Sequence, residues 1–439
     1  MKKLLLFLFI FLSTTSQTFS LIIRDSEIEI FIRKITLPIA KAANQSTKNL
    51  KIIILGDNAV NAFVTPDQKI FIFTGLILNA THYNQLEGVL AHEIGHITGK
   101  HHLKIYNQLG KARIINIAGI LLGTAAAVLT GDPNALSTIA TGTQTTAQRS
   151  LLSFTRAQEG SADQAAFNFL KKSNKSICGI ITFLKFLESR EVAGSQNAYT
   201  RSHPLTRERI DDAMHAAKNE NCNKIKGSKE EIDQHKFVQA KLYGFMDPKK
   251  TAKIINRFEN FNDDHKKYAL AIANYKLSNL KKANDLINQL IQKYPNNPYF
   301  YELKAQMLRE NGYLNDALKN YLKAIEIIPN DSLILIELAQ TQINFDSNKY
   351  LIEAIENLKK ASLKENENQE LWYLLSIAYG RNGEMGKSRY ASAYSAYLKS
   401  DNTSALNFIK MAKKITKRNS EDWYKIEDLE NIIKTKNKK

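Results

Sequence analysis

The sequence predicts two architectures in one chain: an α+β unit over residues 21–228, built of a small sheet and amphipathic helices, then an all-α array over 229–439. Three observations carry this expectation. Two β-branched runs, Lys51–Leu55 and Lys69–Phe73, are bounded by Asn, Asp, Pro and Gly, the punctuation of strands. Leu86, Val89, Leu90 and Ile94 recur at three- and four-residue intervals, which is the period of a helix with one buried face. Ala271, Ala305 and Ala339 are each separated by 34 residues, the mark of an internal repeat.

Taken in order, Met1-Lys2-Lys3 precedes the apolar run Leu4–Leu12, and Thr18 and Ser20 suit cleavage after Ser20. Residues 1–20 thus have the form of a signal peptide, too short to anchor as a membrane span. No cysteine follows the apolar run, which argues against a lipoprotein. An exported protein of the bacterial periplasm is expected. Residues 24–43 predict a helix capped by Asp25 or Ser26, with Pro38 near its end. Asn61-Ala62-Phe63-Val64 reads as an edge-like third strand, and Gly75 and Asn79 as breaks before the next helix. Thr81 is its candidate N-cap.

That helix carries His92-Glu93-Ile94-Gly95-His96. Residues four apart share a helix face, so His92 and His96 are spaced to bind one Zn²⁺, and Glu93 can reach a metal-bound water without ligating. His101 and His102 fall off that face and are read as non-ligands. Ile114–Leu129 is nearly all apolar but short for a span, a helix flanking the cleft or a segment in membrane contact. Gly131–Gln148 is rich in Thr, Ser, Ala and Gly, either a cover for the site or a loop. Thr155–Leu170 has helical spacing, with Glu159 and Asp163 on one face. A catalytic zinc takes three protein ligands, so Glu159 is the candidate third. Asp163 is placed to accept the free N–H of a ligating histidine. Cys178 and Cys222 are a candidate disulfide in an oxidising compartment, the other reading being two buried thiols.

From about residue 230 glycine is scarce and helical periodicity continues. Ala283 and Ala317, Tyr294-Pro295 and Ile328-Pro329 repeat at the same interval as the alanines. Thirty-four residues is the tetratricopeptide period, whose repeats stack into a superhelix with a protein-binding concave face. Asn344–Leu351 loosens the register, which resumes at Ala378 and Ala412. Tyr268, Tyr275, Tyr299, Phe300 and Tyr301 line that face or fill the core, with core favoured for most.

The 61 basic and 43 acidic residues give a net charge of +18, spread through a Lys-rich composition without an Arg-rich block. Nothing in that pattern points to nucleic acid, and peripheral contact with an anionic membrane is compatible with it. No serine or cysteine nucleophile is signalled.

In order, Asn61-Ala62-Phe63, Phe73-Thr74-Gly75-Leu76, His92–His96, Thr155–Glu159 with Ala162-Asp163, and His203–Ile210 resemble the HtpX-related gluzincin zinc metallopeptidases. The resemblance covers roughly residues 50–215. It implies one zinc on His92, His96 and Glu159, a catalytic Glu93, and Asp163 supporting a ligand. It also implies a role over the metal for His203, either stabilising the transition state or closing the site, with Arg209 positioning that segment. Asn61, Ala62 and Phe63 would pair with substrate backbone. Pro66-Asp67-Gln68 departs from the small residues often found there, which puts peptide preference in doubt. Implied substrates are unfolded or misassembled outer-membrane β-barrel proteins, and the implied partner is the β-barrel assembly machinery. The alternative is a repeat-based chaperone or scaffold whose peptidase site is dormant.

Overall fold

The structure is a computed structural model that describes residues 21–47, 50–65, 67–101, 156–192, 198–222 and 227–436. The leader expected over 1–20, Pro66, Ile114–Leu129, Gly131–Gln148 and Thr155 lie outside the described residues.

Four strands form one mixed sheet: β1 (Leu21–Ile23), β2 (Lys51–Gly56), β3 (Ala62–Val64) and β4 (Lys69–Phe73), in the order β1-β2-β4-β3. The central β2 and β4 run parallel, and β1 and β3 flank them antiparallel. Alternation along the strands separates two faces. Ile54, Ala62, Ile70 and Ile72 join the main core, whereas Leu55, Phe71 and Phe73 gather with Phe63 on the other side.

Helices cover the first face. α1 (Ser26–Ala42) starts on Asp25, whose side chain accepts the Ile28 N–H, and buries Phe31, Ile32, Ile35 and Ile39. Pro38 lies inside it. The expected break at Gly75 and Asn79 is instead a short helix, α2 (Thr74–Asn79), on which the Gly75 N–H bonds the Asp57 carbonyl. α3 (Tyr83–Thr98) carries the HExxH motif and starts one residue later than Thr81 would place it. Its N-cap is His82, and the Thr81 N–H and hydroxyl both bond the Gln85 side chain. α4 (Arg156–Lys172), α5 (Cys178–Val192), α6 (Ala198–Ser202) and α7 (Arg207–Ala216) complete this half.

α8 (Lys229–Met246) joins the two halves. Its Val238 and Leu242 belong to the core under the sheet, and its Phe237 and Ala240 to the first core of the array. Lys241, on the same helix, is buried beside Asp25 (2.7 Å), Glu27 (3.4 Å) and Glu302 (3.5 Å). Beyond α9 (Pro248–Ile254) come five helix pairs: α10 (Asp263–Lys276) with α11 (Leu280–Lys293), and α12 (Pro298–Glu310) with α13 (Leu314–Ile327). α14 (Ser332–Ile343) pairs with α15 (Asn348–Ser362), α16 (Gln369–Arg381) with α17 (Met385–Leu398), and α18 (Asn402–Ile415) with α19 (Glu421–Lys436). Asn262, Asn279, Asn297, Asp331, Asn368 and Asp401 cap α10, α11, α12, α14, α16 and α18 through their side chains. The periodic Ala271, Ala283, Ala305, Ala317 and Ala339 are all fully buried, as small residues at helix crossings must be. Tyr268, Tyr275 and Phe300 are core; Tyr299 and Tyr301 are half-buried.

Candidate metal centre

The motif helix α3 is pinned against α4 by a close approach. A Cβ on Gly95 would lie 2.7 Å from the Ala162 carbonyl oxygen, so glycine at the centre of the motif lets the two backbones meet. Glu159 and Asp163, one turn apart on α4, are thereby set opposite His92 and His96.

His92, His96, Glu159 and His203 bring one donor atom each within 4.8 Å of the others, all four side chains buried. The Nε2 atoms of His92 and His96 are 2.9 Å apart, and each lies 3.4 Å from a Glu159 oxygen. Nδ1 of His203 is 3.4 Å from His92 Nε2 and 3.1 Å from Glu159 Oε1. A tetrahedral shell with metal–ligand bonds near 2.0–2.1 Å has edges of about 3.3 Å. The spacings therefore suit one small divalent ion, and the set of imidazole nitrogens plus one carboxylate suits zinc.

Protonation agrees with that fit. Burial works to raise Glu159, but His203 and His92 hold it well below the usual carboxylate range. Burial, reinforced by the charges of His92 and His203, keeps His96 neutral, so a lone pair is available to a metal. Burial also opposes a charge on His92, yet Asp163 and Glu159 raise it to about 9, a proton that ion binding would displace.

Glu93 is fully buried and neither of its oxygens makes a hydrogen bond to a described residue; His203 Nε2 stands 3.5 Å from Oε1. Burial raises its carboxyl. A buried carboxylate without hydrogen bonds costs stability, and its presence beside four convergent donors points to chemistry rather than packing.

Asp163 accepts from His92 Nδ1 at 2.8 Å. It also accepts from Arg209 through Nε (2.6 Å) and Nη2 (3.0 Å). Burial opposes ionisation of Asp163, but Arg209 and His92 lower it. The same guanidinium reaches Glu159 Oε2 at 2.7 Å and donates to the Pro204 carbonyl at 3.0 Å, tying the turn after His203 to both acids. Asn61, just before β3, and Ala62 on it are buried and Phe63 is half-buried; β3 is the terminal strand and packs on α3. Cys178 and Cys222 form a disulfide, closing a loop that contains both His203 and Arg209.

Two ring contacts at the centre escape the sequence reading. Tyr199 stacks on His203 with ring centroids 4.5 Å apart; its spacing of four from His203 is the only hint. His101, outside the four-donor set, turns its ring onto His96.

Residues 29–217 match the model of peptidase family M48. The chain is 21% identical over 361 residues to the beta-barrel assembly-enhancing protease of Escherichia coli K12, covering 81% of this chain and 73% of that protein. It is 23% identical over 410 residues to a putative beta-barrel assembly-enhancing protease of Vibrio cholerae, covering 91% and 82%. Metalloprotease YcaL of Escherichia coli K12 is 26% identical over 178 residues, 40% of this chain and 65% of that one.

Proposed function

We propose that the chain, whose residues 29–217 match the model of peptidase family M48, is a periplasmic zinc endopeptidase of protein quality control. Its substrates would be unfolded or misassembled outer-membrane β-barrel proteins, with the helix pairs recruiting them or their assembly machinery. The observation that carries the enzymatic part is the convergence of His92, His96, Glu159 and His203 beside the buried carboxyl of Glu93, which makes no hydrogen bond among the described residues.

His92, His96 and Glu159 would hold the ion. Bound zinc supplies Lewis acidity and a water that loses its proton near neutral pH. Glu93 takes that proton and later returns it to the leaving amine. Asp163 keeps His92 in the tautomer that presents Nε2, and Arg209 keeps Asp163 in place. Asn61, Ala62 and Phe63 would seat an extended substrate as an added strand on β3. The +18 charge allows peripheral contact with an anionic surface, and no helix among the described residues is long and apolar enough to cross a membrane.

One observation favours a second, compatible state. His203 Nδ1 lies within 3.4 Å of both a His92 nitrogen and a Glu159 oxygen, the place of a fourth ligand. In that state the site is self-inhibited and the helix pairs serve as a scaffold. After withdrawal, His203 Nε2 would instead donate to the developing oxyanion.

Glu93→Gln tests the main reading. It should keep fold and zinc while lowering hydrolysis of an unfolded substrate by about 10²–10⁴-fold. Chelator-sensitive cleavage at the wild-type rate by this variant would sink the assignment. His203→Ala separates the two states, since activity unchanged by that substitution removes self-inhibition.

A further inference from the structure

His92 and His96 each turn a second ring nitrogen away from the four-donor cluster, and the two nitrogens end differently. Nδ1 of His92 meets the Asp163 carboxylate. Nδ1 of His96 meets Nδ1 of His101 at 3.0 Å, with ring centroids 5.0 Å apart and the planes at 80°. Both rings are buried, His96 at 0% and His101 at 3% exposure.

On a continuous helix a residue five positions along lies about 140° around the axis, so His101 would face away from His96. The chain is reversed to prevent this. α3 ends at Thr98, and Gly99 caps it through hydrogen bonds to the Gly95 and Ile97 carbonyls. Lys100 then takes the left-handed conformation, φ +51°, a region that L side chains rarely adopt. The result swings His101 back over the last turn. There its ring fills the space left by Gly99: a Cβ at that position would stand 2.3 Å from Nε2, 2.7 Å from Cε1 and 2.8 Å from Cδ2 of His101. A strained backbone, a glycine and a buried imidazole thus converge on one contact.

We infer that His101 is a positioning residue that holds His96 in its ligating tautomer and ring angle. The inference rests on the metal-site reading above. If Nε2 of His96 gives its lone pair to the ion, the neutral ring carries its proton on Nδ1. His101 Nδ1 must then accept that proton's hydrogen bond, and the His101 proton resides on Nε2. His92 is held by a carboxylate and His96 by a neutral imidazole, so His96 is the less basic ligand of the two.

The test measures zinc affinity of the full-length chain by competition with a chromophoric chelator, alongside the visible spectrum of the Co²⁺-substituted protein. His101→Leu removes the acceptor. Gly99→Ala pushes the imidazole aside without touching a ligand. His101→Asn restores an acceptor oxygen near the place of Nδ1. Zinc binding should weaken 10–100-fold in His101→Leu and Gly99→Ala, with altered Co²⁺ bands, and stay within a few-fold of wild type in His101→Asn. Wild-type affinity and spectrum in both His101→Leu and Gly99→Ala would overturn the inference, as would a His101→Asn variant as weak as His101→Leu. Should His101→Leu fail to fold, Gly99→Ala against His101→Asn decides. His96→Ala is the control that separates the two levels. If it loses zinc while the other variants do not, only the role of His101 falls. If it binds zinc as the wild type does, the metal-site reading falls with it.

Discussion

The two halves of this chain are stabilised on different length scales. Around the metal centre, contacts join residues remote in sequence: His92 and Asp163 are 71 positions apart, Glu159 and His203 are 44. In the helix array each pair packs chiefly on its neighbours, with cores such as Ala305, Leu318, Tyr321 and Leu338 drawn from adjacent hairpins. A centre assembled from distant segments shares every perturbation among them, whereas a stacked array confines it to nearest neighbours. The first arrangement can focus charge at one point; the second can extend a binding surface without disturbing that point.

The largest effect expected from this contrast comes at Arg209, which touches Asp163, Glu159 and the Pro204 carbonyl at once. Arg209→Leu takes the guanidinium from two buried carboxylates and leaves them only the neighbouring imidazoles, and removal of one partner from such a network costs about 3–5 kcal/mol. Hydrogen exchange should report opening across α4, α6 and α7 together, with α12–α15 unchanged. Equal loss of protection in both halves would break the comparison.

That contrast also explains what could be read from the linear sequence. His92 and His96 were legible because their spacing is a property of one helix. Glu159 and Asp163 were legible as a pair, but their meeting with His92 depends on Gly95 admitting α4, a tertiary fact. A continuous helix turns His101 away from His96, and only the left-handed Lys100 reverses that. Gly75 and Asn79 looked like breakers, yet Thr74–Asn79 is helical, since six residues are too few for a periodic signal to outweigh a glycine. The buried alanines at 34-residue spacing were plain, because one local packing problem is solved the same way in each repeat. The double allegiance of α8 was hidden: Phe237 and Ala240 alternate around the helix with Val238 and Leu242, so no single apolar face appears.

A smaller effect belongs to the array. Ala305 is fully exposed to packing and not at all to solvent, so Ala305→Leu inserts a branched side chain where helices cross. Overpacking of this kind costs about 1–3 kcal/mol. The loss should appear as faster exchange in α12, α13 and α14, with zinc content and peptide cleavage by the isolated full-length protein unchanged. A drop in bound zinc would show that the array reaches the metal centre more directly than nearest-neighbour stacking allows.

The smallest effect sharpens the comparison at the seam itself. His235 on α8 is 1% exposed, and its ring stacks on Phe31 of α1 at 5.8 Å. Burial, aided by the charges of Lys236 and His82, lowers its pKa from 6.5 to about 3. Between those values the unfolded chain takes up a proton that the folded chain refuses, so stability rises with pH across this window and falls as the pH drops. At pH 5.5 the term amounts to roughly 1.4 kcal/mol relative to pH 7.5. Burial pushes Glu27 and Glu302 up, and they lean the opposite way, so the readout is the difference between wild type and His235→Phe. The variant keeps an aromatic ring against Phe31 and should gain on the wild type as the pH falls from 7.5 to 5.5 in urea titrations. A gap that stays constant over that range would mean that His235 takes up its proton as readily in the folded protein as in the unfolded chain, and that the seam between the halves opens to admit water.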